Sequence, residues 1–344
     1  MSVIGIADLH LTSTPRDAYR WRLFPWLAEQ IVQHRVEHLL ILGDLTESKN
    51  YHSGKLVNEI VDTFAALHRD TGGHLQIVVL PGNHDGLDPE CPYFRFLGHL
   101  PFIRYISVPT LGPFAGCDNV LFLPHTKEPE KWGNDFLSAA EVIFMHQTFT
   151  GAKSETGFEL EGMSADVLFA AKRAKIWSGD VHVPQKCGRI EYVGSPYPVR
   201  FGDSFQPRAV LLTSKLKKAQ DLAPPGHNRM HVRASSATDL SVHELGKGDQ
   251  IKISVPLKRS EFGSFDKIRR ELAAYCSEKG VEICGLEVEK LEEAPVPKLK
   301  ARGAGTQSVT PEQILKSWSE RQKLEPHVAE TGQRLLKAAL GTAI

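Results

Sequence analysis

Six short apolar runs in the first two hundred residues end in polar residues, and this pattern constrains the fold more than any other feature. Between the earlier runs, residues 19–34 and 55–69 carry apolar side chains at three- and four-residue spacing, which is typical of helices. The alternation predicts a layered α/β fold in which helices cover a largely buried sheet. Functional residues of such folds gather at the carboxyl ends of the strands. The runs are SVIGIAD, HLLILGD, LQIVVLPGNHD, NVLFLP, EVIFMHQ and AKIWSGD.

Five of these runs end in possible metal ligands. Hard oxygen donors mixed with imidazoles suit manganese, iron or zinc better than calcium. A carboxylate such as Asp44 can bridge two cations, which lie about 3.5–4 Å apart in two-metal sites. Each motif alone is a weak signal, but five in this order at strand ends make coincidence improbable. The candidates are Asp8, His10, Asp44, Asn83, His84, Asp85, His146, Asp180 and His182.

The length of the chain, its apolar runs and its cysteines limit the class of protein. The chain has 344 residues, no run long enough to cross a bilayer, and an N-terminus without a signal-peptide pattern. Its five cysteines are scattered without CxxC pairs, which favours reduced thiols. These features predict a cytoplasmic protein that does not enter a membrane.

The net charge of zero conceals an asymmetry between the two parts of the chain. Residues 1–205 hold 18 Lys and Arg against 24 Asp and Glu, whereas residues 206–344 hold 23 against 17. The acidic first part fits a cation-binding site. The basic second part fits contact with nucleic acid, although such an imbalance is also common between ordinary domains.

The pattern changes after RAVLLTS. The following polar stretch contains the breaker APPGHNR and predicts a linker or extended excursion. A strand, an amphipathic helix and a second strand then form a predicted βαβ unit. A Pro-, Gly- and Lys-rich linker precedes a C-terminal helical segment. The predicted boundaries are 1–213, 214–249, 250–293, 294–309 and 310–344.

The order DxH, GD, GNHD, a lone His and GxxH resembles the calcineurin-like metallophosphoesterase superfamily. Within it, SGDVHVPQ followed by IEYVGSPYPVRFGD is similar to a passage of the SbcD nucleases, bacterial relatives of the meiotic recombination eleven nucleases. The resemblance covers residues 1–213 well, and the βαβ unit resembles the family's capping domain less specifically. It implies a four-layer αββα sandwich with a small βαβ capping domain and a C-terminal helical segment.

The resemblance also implies roles for individual residues. His84 matches the family's catalytic histidine, and Asp85 would orient it. One metal ion would be held by Asp8, His10, Asp44 and His182, and the other by Asp44, Asn83, His146 and Asp180.

The chain departs from the family at two places. Asp180 stands where the family usually has a histidine. Thr46 and Glu47 stand where the family has an aromatic–histidine pair, and His52 nearby is a candidate substrate-binding residue.

The predicted reaction is hydrolysis of DNA phosphodiesters by an SbcD-like exonuclease, with endonuclease action in addition, in DNA repair or recombination. Two divalent cations are expected, with manganese favoured and magnesium, iron or zinc as alternatives. The resemblance further implies an SbcC-type ATPase partner and a homodimer. The alternatives are a phosphatase or nucleotide phosphodiesterase acting on small substrates or phosphoproteins, and a scaffold that binds DNA or a partner through a decayed metal site.

Overall fold

The computed structural model describes residues 1–88, 91–203, 205–226, 228–291, 311–322 and 326–339. The chain forms two compact units, Met1–Leu291 and Glu292–Ile344. The first unit contains all the candidate site residues.

The first sheet of this unit has six strands in the order β12-β11-β1-β2-β3-β4. Strands β1 to β4 run parallel, and β11 pairs antiparallel with β1 and β12. The carboxyl ends of β1, β2 and β3 therefore meet at one edge. The strands are β1 (Val3–Ala7), β2 (His38–Leu42), β3 (Gln76–Leu80), β4 (Ile103–Tyr105), β11 (Ala209–Thr213) and β12 (Lys218–Leu222).

The second sheet also has six strands, in the order β5-β6-β7-β8-β10-β9. Its four middle strands run parallel, and both edge strands are antiparallel to their neighbours. The strands are β5 (Thr110–Phe114), β6 (Cys117–Leu123), β7 (Val142–His146), β8 (Lys175–Gly179), β9 (Gln185–Cys187) and β10 (Ile190–Tyr192).

The two sheets face each other across an apolar core. Leu40 and Val78 of the first sheet pack in one cluster with Phe122, Phe144 and Trp177 of the second. Alternate side chains of each strand point to the opposite face, where they meet helices. The layers are therefore helix, sheet, sheet, helix. The sequence prediction of an α/β sandwich is confirmed at this level.

Two helices cover the outer face of the first sheet, and a short one covers the second. In the 17-residue helix α2, the hydroxyl of Ser53 accepts from the amide of Leu56 and caps the first turn. The residues predicted to form one helix over 19–34 instead form a 3₁₀ helix followed by α1. The helices are the 3₁₀ helix Pro15–Arg22, α1 (Leu23–His34), α2 (Gly54–Asp70) and α3 (Asn134–Ala139).

A third, smaller sheet of three parallel strands follows, and it contains the predicted strand–helix–strand pattern. The segment 214–249, predicted as a linker or extended excursion, contains β12, β13 and α4. Polar side chains at exposed positions interrupt the apolar pattern of these short elements, so the sequence did not predict them. The elements are β13 (Arg229–Arg233), α4 (Ala237–Ser241), β14 (Gln250–Leu257), α5 (Phe265–Lys279) and β15 (Glu282–Lys290).

The described residues of the second unit form two helices, α6 (Pro311–Arg321) and α7 (Pro326–Ala339). The predicted linker at 294–309 lies outside the described residues. None of the helices in the described part of the chain has the length and apolar content needed to cross a bilayer.

Candidate metal centre

The candidate ligands converge where the carboxyl ends of strands from both sheets meet. Asp8 and His10 follow β1, Asp44 follows β2, and the Asn83–His84–Asp85 loop follows β3. From the second sheet, His146 ends β7, and Asp180 and His182 follow β8. Among the described residues, four groups each bring three donor atoms within 4.8 Å of one another: Asp8, His10 and His182; His10, Asp44 and His84; Asp8, Asp44 and His146; and Glu155, His182 and Asp203.

The backbone at these positions is unusual. Asp8, His10, Asp44 and Asp180 have φ angles of 55°, 44°, 52° and 79°, in the left-handed region. Such conformations cost on the order of 1 kcal/mol each and persist only where the surrounding structure enforces them. Four strained residues of one cluster indicate that the strand ends are shaped for the site.

Asp44 occupies the middle of the cluster. Its Oδ2 lies 3.5 Å from His10 Nε2, and its Oδ1 lies 3.3 Å from His146 Nε2. The amide of His84 donates to the same Oδ1 at 2.9 Å. Asp44 therefore faces predicted ligands of both metal ions.

His10 and His182 form one half of the cluster. Their Nε2 atoms face each other at 3.2 Å. Each Nδ1 faces a glutamate: Glu47 Oε2 lies 3.3 Å from His10, and Glu155 Oε1 lies 3.0 Å from His182. The adjacent histidine ring is the main cause that lowers the pKa of each glutamate to about 2.

His146, Asn83 and Asp180 form the other half. His146 Nδ1 lies 2.7 Å from the carbonyl oxygen of Leu42, so this ring donates to a neutral main-chain acceptor. Asn83 Nδ2 donates to Asp180 Oδ1 at 3.0 Å, and Thr148 Oγ1 donates to Asp180 Oδ2 at 2.7 Å. Both oxygens of Asp180 thus already accept hydrogen bonds from protein groups.

The electrostatics of the two halves reflect the excess of carboxylates. Burial lowers the pKa of His146, but Asp44 and Asp180 outweigh it and raise that pKa well above its usual value. Burial also opposes ionisation of Asp180, yet the His146 ring, with Nε2 3.5 Å from Oδ1, holds the pKa of Asp180 below its usual range. The cluster is a negative site that a proton or a cation stabilises.

The donor atoms fit metal ions. Among the described residues, Asp8 Oδ2, Asn83 Oδ1 and His146 Nε2 are buried without a hydrogen-bond partner. An unpaired buried donor or acceptor costs about 1–3 kcal/mol unless a ligand satisfies it. Oxygen and imidazole donors of this kind suit a hard or borderline divalent cation.

The predicted role of Asp85 differs from its observed contacts. Its carboxylate accepts from the amides of Leu45 and Gly82, at 2.9 and 2.7 Å, and ties two ligand-bearing loops together. Burial raises the pKa of Asp85 to about 7, and Asp44 adds to this effect. His84 Nδ1 instead lies 2.7 Å from the main-chain oxygen of Glu47, which orients that ring.

His52, predicted to bind substrate, packs against aromatic rings. Its ring centroid lies 4.2 Å from that of Tyr93 and 4.8 Å from that of Phe94. Burial lowers its pKa. A substrate contact of His52 stays a prediction.

Sequence reasoning missed several residues that support the centre. A Cβ at Gly43, which has φ +81°, would overlap the imidazole of His146. Arg20 donates to the carbonyl oxygen of His10, and Thr148 and Glu155 hold Asp180 and His182. Gly43 stands within the GD motif and was detectable. Arg20, Thr148 and Glu155 belong to no motif, because only the fold brings them to the site.

Comparison with known proteins agrees with this geometry. The family described as "Calcineurin-like phosphoesterase" matches residues 1–210. The chain belongs to this family. The family is named for phosphoester chemistry. The cluster of histidine and aspartate side chains offers ligands for the metal ions that such chemistry uses.

Two curated proteins and one solved structure are similar to parts of the chain. Exonuclease subunit 1 of Enterobacteria phage T4 is 24% identical over 198 residues, which are 55% of this chain and 56% of that protein. The DNA polymerase II small subunit of Halobacterium salinarum is 38% identical over 90 residues, 24% of this chain and 18% of that one. The chain thus spans little more than half the length of the phage relative, and less of the archaeal one. A dimetal phosphatase structure from Danio rerio aligns with a TM-score of 0.38 and 11% identity, over 65% of this chain and 99% of that one.

Proposed function

We propose that this calcineurin-like phosphoesterase hydrolyses DNA phosphodiesters with two divalent cations, as an SbcD-like exonuclease with endonuclease action. The observation that carries the proposal is the position of the His/Asp cluster beside a cation-lined cavity. The phage relative, named as an exonuclease subunit, supports the nucleic-acid substrate. Manganese is the favoured cation, with magnesium, iron and zinc as alternatives.

The cavity has a volume of about 690 Å³ and reaches the cluster through Arg20 and Glu47, which both contact His10. Five cationic side chains and two carboxylates line it. Arg20 and Arg229 are buried and lie near Asp17, at 3.7 and 3.6 Å. The remaining three cations, Arg16, Arg200 and Lys252, are exposed.

An exposed cationic groove beside the cluster suits a phosphate backbone better than a single small phosphoester. Two aromatic side chains, Tyr51 and Phe201, also line the cavity, and Tyr51 is 91% exposed. Aromatic faces of this kind stack on unpaired bases. The small sheet contributes Arg229 and Lys252, and this supports a capping role for it.

The chain's own residues have distinct tasks in the proposed reaction. The two cations would supply an ionised water and neutralise charge on the phosphate oxygens. Asp8, His10, Asp44 and His182 would hold one of them, and Asp44, Asn83, His146 and Asp180 the other.

His84 would act on the leaving group. Its Nδ1 donates to the carbonyl oxygen of Glu47, so its Nε2 is the atom that would hold the proton for the departing 3′ oxygen. Asp85 maintains the loop that carries Asn83 and His84 through its bonds to Leu45 and Gly82.

An ATPase partner of SbcC type and homodimerisation belong to the same proposal. The phage relative is named as a subunit. In the second unit, Ile314 and Trp318 of α6 are 58% and 51% exposed, which provides apolar area for a partner chain.

The proposal is tested by measuring hydrolysis in Mn²⁺ of linear duplex DNA, single-stranded DNA, nucleotides and bis-p-nitrophenyl phosphate. Metal-dependent shortening of DNA that Asp44→Asn abolishes is expected. Activity on nucleotides or phosphoproteins without activity on DNA would favour the phosphatase alternative. Binding of DNA without bound metal or any hydrolysis would favour the scaffold.

The cavity gives a sharper test. Arg200→Ala combined with Lys252→Ala should lower kcat/KM for DNA by about tenfold and reduce the slope of log affinity against log salt by about two. Hydrolysis of bis-p-nitrophenyl phosphate should be unchanged, because this small ester needs no groove. The matched control is Lys267→Ala on α5, an exposed cation outside the cavity. Equal losses of kcat/KM on both substrates would contradict a role of these cations in binding DNA.

A further inference from the structure

Two glutamates outside the ligand set hold the two facing histidines of the cluster. Glu47 Oε2 lies 3.3 Å from His10 Nδ1, and Glu155 Oε1 lies 3.0 Å from His182 Nδ1. The opposite ring atoms, both Nε2, face each other at 3.2 Å. Each imidazole therefore lies between a carboxylate and a space shared with the other ring.

The protonation of these rings follows from their partners. A carboxylate accepts hydrogen bonds and donates none, so an Nδ1 atom 3.3 or 3.0 Å from a glutamate oxygen is the ring atom where a proton is favoured. In neutral imidazoles, both Nε2 atoms then present lone pairs to the same space. Two lone pairs at 3.2 Å repel each other unless a cation lies between or beside them.

The glutamates have the chemistry for this task. Each has a carboxylate oxygen within 3.3 Å of an imidazole nitrogen, which is close enough to orient the ring. Carboxylates that accept from a metal-bound histidine set its orientation and raise its basicity. His10 and His182 are largely buried, with side chains 4% and 11% exposed, so few other partners reach them.

Glu47 has a second contact that Glu155 lacks. Its main-chain oxygen accepts from His84 Nδ1 at 2.7 Å, while its carboxylate faces His10. The rings of His10 and His84 are also in edge-to-face contact, with centroids 4.9 Å apart. One residue thus orients a predicted ligand and the predicted general acid together.

We propose that Glu47 and Glu155 are positioning residues that orient His10 and His182 toward one shared cation. This inference rests on the proposed metal-dependent function. It assigns a task to Glu47, which stands where the similar nucleases have a histidine, and to Glu155, which belongs to no motif.

The test measures Mn²⁺ binding by calorimetry in the absence of any substrate. Glu47→Ala and Glu155→Ala should each weaken one Mn²⁺ site by about 10- to 100-fold and leave the other nearly unchanged. Glu47→Gln and Glu155→Gln should lose less Mn²⁺ affinity than the alanine variants, because the amide oxygen can still accept a hydrogen bond from Nδ1. In the double alanine variant, the loss of Mn²⁺ binding free energy should be smaller than the sum of the losses in the two single variants, because both glutamates support one ion.

A second readout separates positioning from a merely structural role. In the metal-free protein labelled with ¹⁵N-histidine, NMR should show His10 and His182 protonated at Nδ1. Glu155→Ala should convert His182 to a mixture of tautomers. Thermal unfolding of each variant, followed by circular dichroism, should remain cooperative.

The matched control is Glu161→Ala, an exposed glutamate in the same segment as Glu155. Unchanged Mn²⁺ affinity in both Glu47→Ala and Glu155→Ala, within twofold of the control, would overturn the inference. Because binding and tautomers are measured without DNA, a protein that binds Mn²⁺ in this way but cleaves no DNA refutes the proposed function and leaves the inference standing.

Discussion

The two halves of the candidate centre hold their histidines in different ways. His10 and His182 each face a glutamate carboxylate, whereas His146 donates to the neutral carbonyl of Leu42. A charged partner raises the basicity of an imidazole more than a neutral one does. The half with His10 and His182 should therefore bind its cation more tightly, and the half with His146 should exchange its cation more readily.

The largest effect is expected where the two halves meet. Asp44→Ala removes the carboxylate that faces both His10 and His146, so both Mn²⁺ ions should be lost and hydrolysis should fall by about 10³-fold or more. Metal analysis of the purified variant and a turnover assay measure this. Asp62→Ala, an exposed aspartate on α2, is the control. Retention of one tightly bound ion in Asp44→Ala would show that the halves are independent.

A smaller loss, confined to one half, is expected from Gly43→Ala. The new methyl group would overlap the His146 ring, and φ +81° is strained for alanine, so the free energy of unfolding should fall by about 1–3 kcal/mol. Mn²⁺ binding should weaken in the His146 half alone. Denaturant unfolding and calorimetry test this prediction, and equal weakening of both sites would contradict the division.

Asp180→His replaces the carboxylate by the residue usual in the similar nucleases. If Asp180 acts as a ligand, activity should stay within about tenfold of the parent, and preference should shift from manganese toward zinc, which imidazole suits. The measurement is turnover with each metal. A much larger loss would mean that Asp180 is needed as the acceptor for Asn83 and Thr148.

Metal binding is also expected to depend on pH, without any substitution. Burial lowers the pKa of His182, but Glu155 outweighs it and raises the pKa above its usual value, as the carboxylates around His146 do for that ring. A raised pKa means that protons compete with metal at a higher pH than for free histidine. Mn²⁺ affinity should thus fall by about tenfold or more from pH 8 to pH 6. Equal dissociation constants at both values would contradict this.

The regularly patterned part of the fold was predictable from local information. Strands β1, β2, β3, β6, β7 and β8 coincide with the apolar runs, since buried parallel strands read as continuous apolar segments. Segment 214–249 was predicted as a linker or extended excursion because it is polar and contains the breaker APPGHNR, and its strands β12 and β13 are short and partly exposed. Their pairing with β11 and β14 depends on neighbours distant in sequence.

The candidate site also has features that the sequence predicts and features that only the tertiary structure shows. The sequence by itself determined the donors, because a hard-metal site requires carboxylates and imidazoles and parallel strands bring their carboxyl ends to one edge. Only the tertiary structure decided how each donor is held: that Asp85 bonds to Leu45 and Gly82, that Glu47 orients His84, and that Glu155 reaches His182. The physical reason is that a hydrogen bond acts over about 3 Å and depends on direction, and no local pattern encodes such a distance between residues far apart in the chain.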